Sequence, residues 1–435
     1  MSKFEKGSLK LRNAWAFYDW ANSVYSLVIA SAVFPIFYGA LFAKSGLETI
    51  SVFGFQIRST PLITYTTAAA FLIVAFLSPL LSGIADYVGN KKNFMKFFCY
   101  LGALSCMALY FFSLEHIYLS LFIYFLALVG FWGSLVFYNS YLPDVAFKEQ
   151  QDSLSAKGFS LGYIGSVFLL LFNLVMVLKP ELFGIFGEDA SIQAMKISFV
   201  TVGIWWIGFS QYTFYYLPSG TTSLKKVNKD VILNGFKELK QVQQSLSENI
   251  QLKRFLVAFF VYSMAVQTVM LVATYFGEQE INWGNSDKKT IGLISSILII
   301  QLVAVVGSYV TSKASSRFGN ITTLIFINCV WLVLCVAAYF VTQPIEFYIT
   351  AGFVGLVMGG IQALSRSTYS KFLPDTKDTT SYFSFYDVSE KIGIVVGMLV
   401  YGFVDQITGS MRNAILFLVL FFIVGVILLL RVPRK

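Results

Sequence analysis

Long apolar runs separated by short polar segments recur along the whole chain. A run of about 20 residues is long enough to cross the hydrocarbon core of a bilayer as a helix. Runs of this kind cover 15–42, 61–84, 94–113, 117–141, 157–178, 196–217, 254–276, 290–312, 321–341, 346–370, 383–404 and 412–431. The pattern predicts an all-α integral membrane protein with twelve transmembrane helices.

One polar segment, 218–253, is longer than the others and divides the runs into two groups of six. Within it, apolar residues recur at helical spacing at Val231, Ile232, Phe236 and Leu239. This spacing predicts an amphipathic helix that lies on the membrane surface. We therefore expect an N-terminal six-helix bundle over 1–217, a cytoplasmic linker over 218–253 and a C-terminal six-helix bundle over 254–435.

Short matching motifs indicate that the two groups of six are repeats. "YLPD" at 141–144 follows the fourth run and "FLPD" at 372–375 follows the tenth. At nearly the same offset, "DYVGN" at 86–90 corresponds to "SRFGN" at 316–320. Parallel repeats of six helices are the architecture of major facilitator transporters, whose substrate site lies between the halves. We expect the halves to superpose, with Asp144 and Asp375 at equivalent positions.

Composition and charge fit a membrane protein with a fixed orientation. The chain is 57% hydrophobic and only 13% charged, whereas soluble domains average about 25% charged residues. Most of the 32 Lys and Arg residues fall in segments on one side of the membrane, which predicts that both termini are cytoplasmic. Because these basic residues are spread over separate loops, the net charge of +9 does not indicate nucleic-acid binding.

The loop "GIADYVGNKK" at 83–92 follows the second run and resembles the signature loop of the major facilitator superfamily. Its candidate gating residues are Gly83, Asp86, Gly89, Lys91 and Lys92. We expect Gly89 to permit a tight turn and Asp86 to pair with a cation on a neighbouring helix, which would latch one conformation. The alternative is an ordinary capping loop. Ser316 replaces Asp86 in the second half, so a latch there is weaker or differently built.

Three further motifs narrow the resemblance. "YDWANS" at 18–23, "GFSLGYIGS" at 158–166 and "IQALSRSTYSKFLPD" at 361–375 are similar to the vacuole-effluxer-like branch of the superfamily. The resemblance extends over the whole chain, whose length is that of the bacterial members. It implies a secondary active transporter in the bacterial inner membrane that moves a small polar metabolite, such as an amino acid, by alternating access.

Asp19 is a carboxylate within the first apolar run, about one turn from its start. On a helix, Asp19, Asn22 and Ser26 share one face. Exposing an ionised side chain to lipid costs about 2.5–3.5 kcal/mol or more, so this face should point into the bundle. Asp19 is then either part of the translocation path, as a proton or cation site, or a structural partner of a neighbouring helix.

Arg366 in the tenth run has three possible roles, with Gln362 one turn before it. Its guanidinium can bind a substrate carboxylate through two hydrogen bonds. It can also neutralise an acid on another helix, or anchor the cytoplasmic end of its own helix. Tyr163 and Gln267 are polar residues of other runs that we expect to line the same cavity.

The eleventh run begins with a cluster of charged residues. Asp387 and Lys391 are spaced as a favourable helical ion pair, with the acid first. Glu390 would then lack a local partner and face inward. Proton coupling requires a carboxylate that takes up and releases a proton during transport, and Asp19 and Glu390 are the candidates.

Other classes of function find little support in the sequence. His116 is the single histidine, which argues against a metal site, and there is no nucleotide-binding fingerprint, so we expect no metal and no cofactor. The expected partners are a small-molecule substrate, the lipid bilayer and coupled protons, with the chain acting as a monomer. The alternatives are a non-transporting receptor on the same scaffold and an integral membrane enzyme.

Overall fold

The computed structural model describes residues 5–47, 49–52, 54–220, 229–284 and 286–433. Within them, twelve helices are long and apolar enough to cross a membrane, which confirms the predicted fold class. The first span combines Leu9–Val24, a π-helix over Tyr25–Val33, and Phe34–Ser45. The second to twelfth spans are Ser59–Val88, Lys91–Ala108, Ile117–Ser140, Lys148–Leu178, Ala190–Tyr216, Ile250–Glu280, Ser286–Phe318, Asn320–Ala338, Pro344–Phe372, Thr379–Thr408 and Met411–Leu430.

Several helices extend beyond the apolar runs that predicted them. The first begins at Leu9 and the fifth at Lys148, each well before its apolar run. Hydropathy marks only the part of a helix that lies in hydrocarbon, whereas the backbone hydrogen bonds continue into the polar ends. These extensions matter because they carry polar side chains that join neighbouring helices.

The shorter elements connect the spans. Short helices cover Leu109–Phe111, Leu142–Val145 and Pro180–Phe183. Between the first and second spans, strands Thr49–Val52 and Phe55–Arg58 pair antiparallel, with Thr49 opposite Arg58. This hairpin, which the sequence analysis did not predict, includes Gly54 at a φ of +83°, a conformation that glycine adopts without steric cost.

The predicted amphipathic helix is present over Lys229–Glu248 and packs against the second span. Tyr382 at the start of the eleventh span donates a 2.9 Å hydrogen bond to its Ser245. Residues 221–228 of the predicted linker lie outside the described residues, as do the side chains of Val231, Ile232 and Phe236. The helix therefore lies where the two groups of six spans meet.

Two clusters of buried apolar side chains form the interior. One is drawn from the first six spans and the other mainly from the last six, with Tyr163 of the fifth span included in the second cluster. The division into bundles over 1–217 and 254–435 remains a prediction, and the two clusters support it.

The repeated motifs lie on one face of the molecule, the basal face, which also carries the first and last residues that the structure describes. Both loops contain a glycine with positive φ, but the turns differ, since Gly89 has a ψ of 28° and Gly319 a ψ of 154°. Asp144 and Asp375 both line a cavity of about 370 Å³ on this face. We therefore retain the superposition of the halves as a prediction. The opposite face is called apical.

Candidate translocation site

An ion pair between Asp19 and Arg366 joins the two halves in the interior. Arg366 Nη2 lies 3.2 Å and Nη1 3.3 Å from Asp19 Oδ2, and both residues are less than 5% exposed. Because its helix begins at Leu9, Asp19 lies about 15 Å from the helix start at 1.5 Å per residue. It is therefore not a residue of the helix end, where the length of the apolar run placed it.

The remaining donors of Arg366 are also occupied. Its Nε donates to Ser155 Oγ at 2.9 Å, Nη2 to the Ser155 carbonyl at 3.0 Å, and Nη1 to Asn139 Oδ1 at 3.2 Å. A guanidinium has five N–H groups, and each of them has an acceptor here. In this conformation Arg366 is thus the counter-ion of an acid on another helix, the second of its three possible roles, and it has no donor left for a substrate carboxylate.

Aromatic rings hold this pair in place. The Arg366 guanidinium lies 4.2 Å from the ring centre of Phe159 and 4.8 Å from that of Trp15. Tyr138 stacks on Trp15 with ring centres 4.6 Å apart and donates a 2.8 Å hydrogen bond to Asp19 Oδ2. Cation–π contacts of this kind stabilise a buried cation, so the aromatic residues help to hold the Arg366 guanidinium in the interior.

Small residues allow the first and fifth spans to approach closely at this level. A Cβ atom at Gly158 would collide with Asp19 Oδ2, and one at Gly162 would lie 2.5 Å from Ser23 Oγ. Small residues four positions apart are common where membrane helices pack backbone to backbone. The motif "GFSLGYIGS" is therefore the surface against which the first span places Asp19.

The other predicted residues of the first span are arranged differently. Asn22 is buried, and its Nδ2 has no hydrogen-bond partner among the described residues. Ser26 is only half-buried, because the π-helix begins at Tyr25 and changes the helical spacing. Ser31 Oγ donates to the Ser26 carbonyl at 3.0 Å within this π-helix. The predicted face of Asp19, Asn22 and Ser26 is thus interrupted at Ser26.

Tyr163 and Gln362 form a second contact between the halves. The Tyr163 hydroxyl donates to Gln362 Oε1 at 2.7 Å, one helical turn from Arg366. Gln362 Nε2 points to Met270 Sδ at 3.8 Å. Both residues are predicted to line the translocation path, and the structure brings the two together.

The charged residues of the eleventh span form a separate cluster. Lys391 Nζ lies 2.5 Å from Asp387 Oδ1 and 3.1 Å from Glu390 Oε2. Gln267 Nε2 donates to the other oxygen of Glu390 at 2.9 Å. The expectation that Glu390 lacks a local partner is therefore wrong, since one ammonium group contacts both carboxylates.

The predicted gating loop connects the second span to the eleventh. Asp86 accepts hydrogen bonds from the backbone N–H of Ser381 at 2.6 Å and of Thr380 at 3.3 Å. The Lys91 ammonium, at the start of the third span, attracts the Asp86 charge as expected of a neighbouring cation, but the direct contacts of Asp86 are to these backbone groups. Asp86 thus binds the N-terminus of the eleventh helix, where free N–H groups and the helix dipole favour a negative charge.

The other residues of the loop divide into two groups. Lys91 bridges the halves, with Nζ 2.6 Å from Asp144 and 2.8 Å from Thr379 Oγ1. Lys92 instead donates to the Leu217 carbonyl at 2.7 Å, within the first half, and Gly83 is buried inside the second span. Lys91 is therefore placed to act in gating, whereas the contacts of Lys92 do not cross between the halves.

The corresponding corner of the second half is differently built, as the substitution by Ser316 suggested. The acid here is Asp152 of the fifth span, which lies 2.5 Å from Lys371 Nζ. Asp152 also accepts hydrogen bonds from Ser315 Oγ at 3.1 Å and Asn320 Nδ2 at 3.0 Å. In this corner, the negative charge therefore comes from the fifth span, which packs against the eighth span, and not from the eighth span itself.

The polar contacts that cross between the halves run from the basal face to about the middle of the spans, and they include those of Asp19, Asp86, Lys91, Asp152 and Tyr163. Ser160 Oγ and Ser308 Oγ, 2.7 Å apart, lie in the same seam. Opening the molecule toward the basal face requires all of these contacts to separate. The structure therefore represents a state that is closed on the basal side.

Sequence reasoning missed several residues of this site. Tyr138 and Asn139 stand in the polar stretch "FYNSYLPD", which was a usable signal. Asp152 and Ser155 precede the predicted start of the fifth span at 157, so they were assigned to a loop. Ser155 also accepts a hydrogen bond from Arg366 through its backbone carbonyl, and the identity of a residue does not reveal a backbone contact.

Three comparisons identify similar proteins. The family model described as "Vacuole effluxer Atg22 like" matches residues 8–435. The uncharacterized MFS-type transporter YxiO of Bacillus subtilis is 33% identical, over 98% of this chain and 95% of the relative. Autophagy-related protein 22 of Eremothecium gossypii is 22% identical, over 95% and 88%. Among solved structures, the E. coli fucose:proton symporter FucP superposes with a TM-score of 0.69 at 16% identity, covering 98% of each chain.

Proposed function

Because the chain belongs to the Vacuole effluxer Atg22 like family and has the fold of major facilitator transporters, we propose that it moves amino acids across the membrane by alternating access. The family and fold make it a multi-pass membrane transporter. The substrate class, the coupling to protons and the placement of the basal face in the cytoplasm are parts of the proposal.

The observation that carries the proposal is the buried Asp19–Arg366 pair between the halves. Removing one partner of a buried ion pair typically costs about 3–5 kcal/mol, because the remaining charge is left unpaired. Alternating access separates the halves on the basal side, so both charges need new partners during the cycle. A free amino acid carries an ammonium group for Asp19 and a carboxylate for Arg366.

A zwitterion is therefore the ligand that offers a charged partner to both members of the ion pair at once. The substrate carboxylate would take the place of Asp19 on the guanidinium, whose planar donors suit a bidentate carboxylate. The ammonium group would bind Asp19 and Tyr138, with the unpartnered Asn22 amide as a further donor toward the substrate. A neutral sugar offers neither charge, so it would leave both groups uncompensated.

Counterflow in proteoliposomes tests this proposal. Vesicles loaded with one unlabelled amino acid are diluted into the same labelled compound, and a panel of amino acids is compared with their amine and carboxylic-acid analogues. We expect exchange of zwitterions and at least tenfold slower exchange of analogues that lack one charge, because each leaves a buried charge unpaired. Ligand-induced thermal stabilisation without exchange would support the receptor alternative, and equal exchange of the analogues would contradict the proposed substrate class.

A further inference from the structure

The cluster of Asp387, Glu390 and Lys391 carries unequal charge. Two carboxylates share one ammonium group, and Lys391 is 1% exposed while the Asp387 side chain is 5% exposed. When all three are ionised, the cluster has a net charge of −1. An uncompensated charge inside a membrane protein is costly, so the cluster favours the presence of one more cation.

The surroundings supply polar and aromatic contacts to the cluster. Ser78 of the second span donates to Asp387 Oδ2 at 3.2 Å, and Gln267 of the seventh span donates to Glu390. Trp132 of the fourth span places its ring centre 3.9 Å from Lys391 Nζ. These contacts come from both halves of the molecule.

Other titratable groups on the packed helices lie elsewhere or carry no charge at neutral pH. Tyr386, one turn before Glu390, stacks on Phe259 and contacts Tyr369. In the seventh and twelfth spans, Glu280 and Arg412 pair with each other at 2.7 Å near the apical face. Asp86 of the second span binds the start of the eleventh helix. In the part of the chain that the structure describes, these ion pairs thus leave the cluster with its excess negative charge.

The two carboxylates are not equivalent. Asp387 is held by Lys391 at 2.5 Å and by Ser78, whereas Glu390 has the longer 3.1 Å contact and a side chain that is 19% exposed. Glu390 is therefore the group from which the Lys391 ammonium can be displaced. The Gln267 amide, which also carries an oxygen, can offer that oxygen to a cation after a rotation about its last bond.

From this arrangement, we propose that Glu390 is the binding site of the coupling cation, H⁺ or Na⁺, and that Lys391 is a tethered competitor for the same carboxylate. This inference rests on the proposed secondary transport. It separates two tasks: Asp19 and Arg366 respond to the substrate, while the cluster on the eleventh span responds to the ion. When the cation binds Glu390, Lys391 pairs with Asp387 alone, and when it leaves, Lys391 again contacts both carboxylates.

Currents from proteoliposomes on a solid-supported membrane test the proposal without a substrate. A step to lower pH, or an exchange of choline for sodium, should displace charge in the wild-type protein as the cation enters the site. A response to pH identifies H⁺ as the ion, and a response to sodium identifies Na⁺. We expect Glu390→Gln to lose the displacement, whereas Glu278→Gln, at an exposed acid paired with Lys289, should retain it.

Lys391→Met tests the tethered competitor. Removing a cation next to a carboxylate should lower the concentration of H⁺ or Na⁺ that gives half-maximal displacement by about tenfold or more. Size-exclusion profiles and thermal unfolding report whether the variant folds. If Lys391→Met does not fold, the charge displacement measured in Glu390→Gln tests the proposed cation site. An unchanged or higher half-maximal concentration in folded Lys391→Met, a wild-type response in Glu390→Gln, or no displacement in the wild type would overturn the inference. Amino-acid counterflow in the same vesicles reports on the proposed substrate class independently.

Discussion

Asp19 shows how a carboxylate is accommodated in a membrane span. It is neutralised by Arg366, receives a hydrogen bond from Tyr138, and lies against Gly158, where a larger residue would not fit. Each contact comes from a different helix, so the position of the carboxylate depends on the packing of four spans. A change at this residue should therefore affect the relative position of the halves.

We predict that Asp19→Asn lowers both amino-acid uptake and exchange by about a hundredfold or more, because one unpaired buried charge costs about 3–5 kcal/mol and about 1.4 kcal/mol corresponds to tenfold. The amide keeps the size of the side chain and some of its hydrogen bonds, but it neutralises neither Arg366 nor a substrate ammonium group. Uptake, exchange and melting temperature should be measured on the same purified variant. Asp189→Asn is the matched control, because Asp189 is an exposed acid paired with Lys44.

Normal uptake and exchange in Asp19→Asn would end the functional interpretation of the residue. A lower melting temperature with normal transport in the surviving protein would indicate a purely structural pair.

The sequence identified the charged residues of the site but not their partners. Asp19 and Arg366 were conspicuous because each interrupts an apolar run. Their pairing links positions 347 residues apart, and nothing local in the sequence encodes it. Glu390 was misjudged for a related reason: helical spacing reveals the preferred i, i+4 pair with Lys391 but not a flexible ammonium group that reaches two acids.

At the scale of elements, the basal gate depends on a helix terminus. Asp86 supplies acceptors to the first backbone N–H groups of the eleventh helix, which have no partner within that helix. Separation of the second and eleventh spans breaks these bonds. The loop thus holds the basal side closed by capping a helix of the other half.

We predict that Asp86→Asn shifts the population toward the basal-open state with little loss of folded protein. The amide offers one acceptor oxygen instead of two and no charge for the helix dipole, an effect of about 0.3–1 kcal/mol or somewhat more when partly buried. Labelling of a cysteine at Ser160, in the seam beside Ser308, should become faster from the basal side.

Ser316→Ala is the control for this experiment, since Ser316 occupies the corresponding place in the second half, is exposed and donates to a carbonyl of its own helix. Unchanged labelling from both sides in Asp86→Asn would reject the latch.

Element types were predicted well where periodicity is strong and poorly where backbone chemistry decides. The twelve spans follow from hydropathy because a bilayer requires internally bonded helices. The π-helix at Tyr25–Val33 depends on backbone pairing between residues five apart, which an apolar sequence does not indicate. The paired strands Thr49–Val52 and Phe55–Arg58 were missed because each is only four residues long.

At the scale of the whole molecule, the basal corners of the two halves receive their acids from different spans. The first half places its acid, Asp86, at the end of the second span, whereas the corner of the second half receives Asp152 from the fifth span. Both arrangements connect the halves on the basal side. This exchange explains why a search for the same motif in both halves finds only one copy of the acid.

The central claim is that the Asp19–Arg366 pair holds the basal side closed and that a zwitterion releases it. The most direct measurement is a pair of spin-label distances in the same cysteine-free background. Lys148→Cys with Lys377→Cys reports across the basal face, and Glu115→Cys with Ile345→Cys reports across the apical face. We predict that Asp19→Asn, or an exchanged amino acid added to the wild type, lengthens the basal distance and shortens the apical one. Distances that stay unchanged, or that change in the same direction on both faces, would contradict the account.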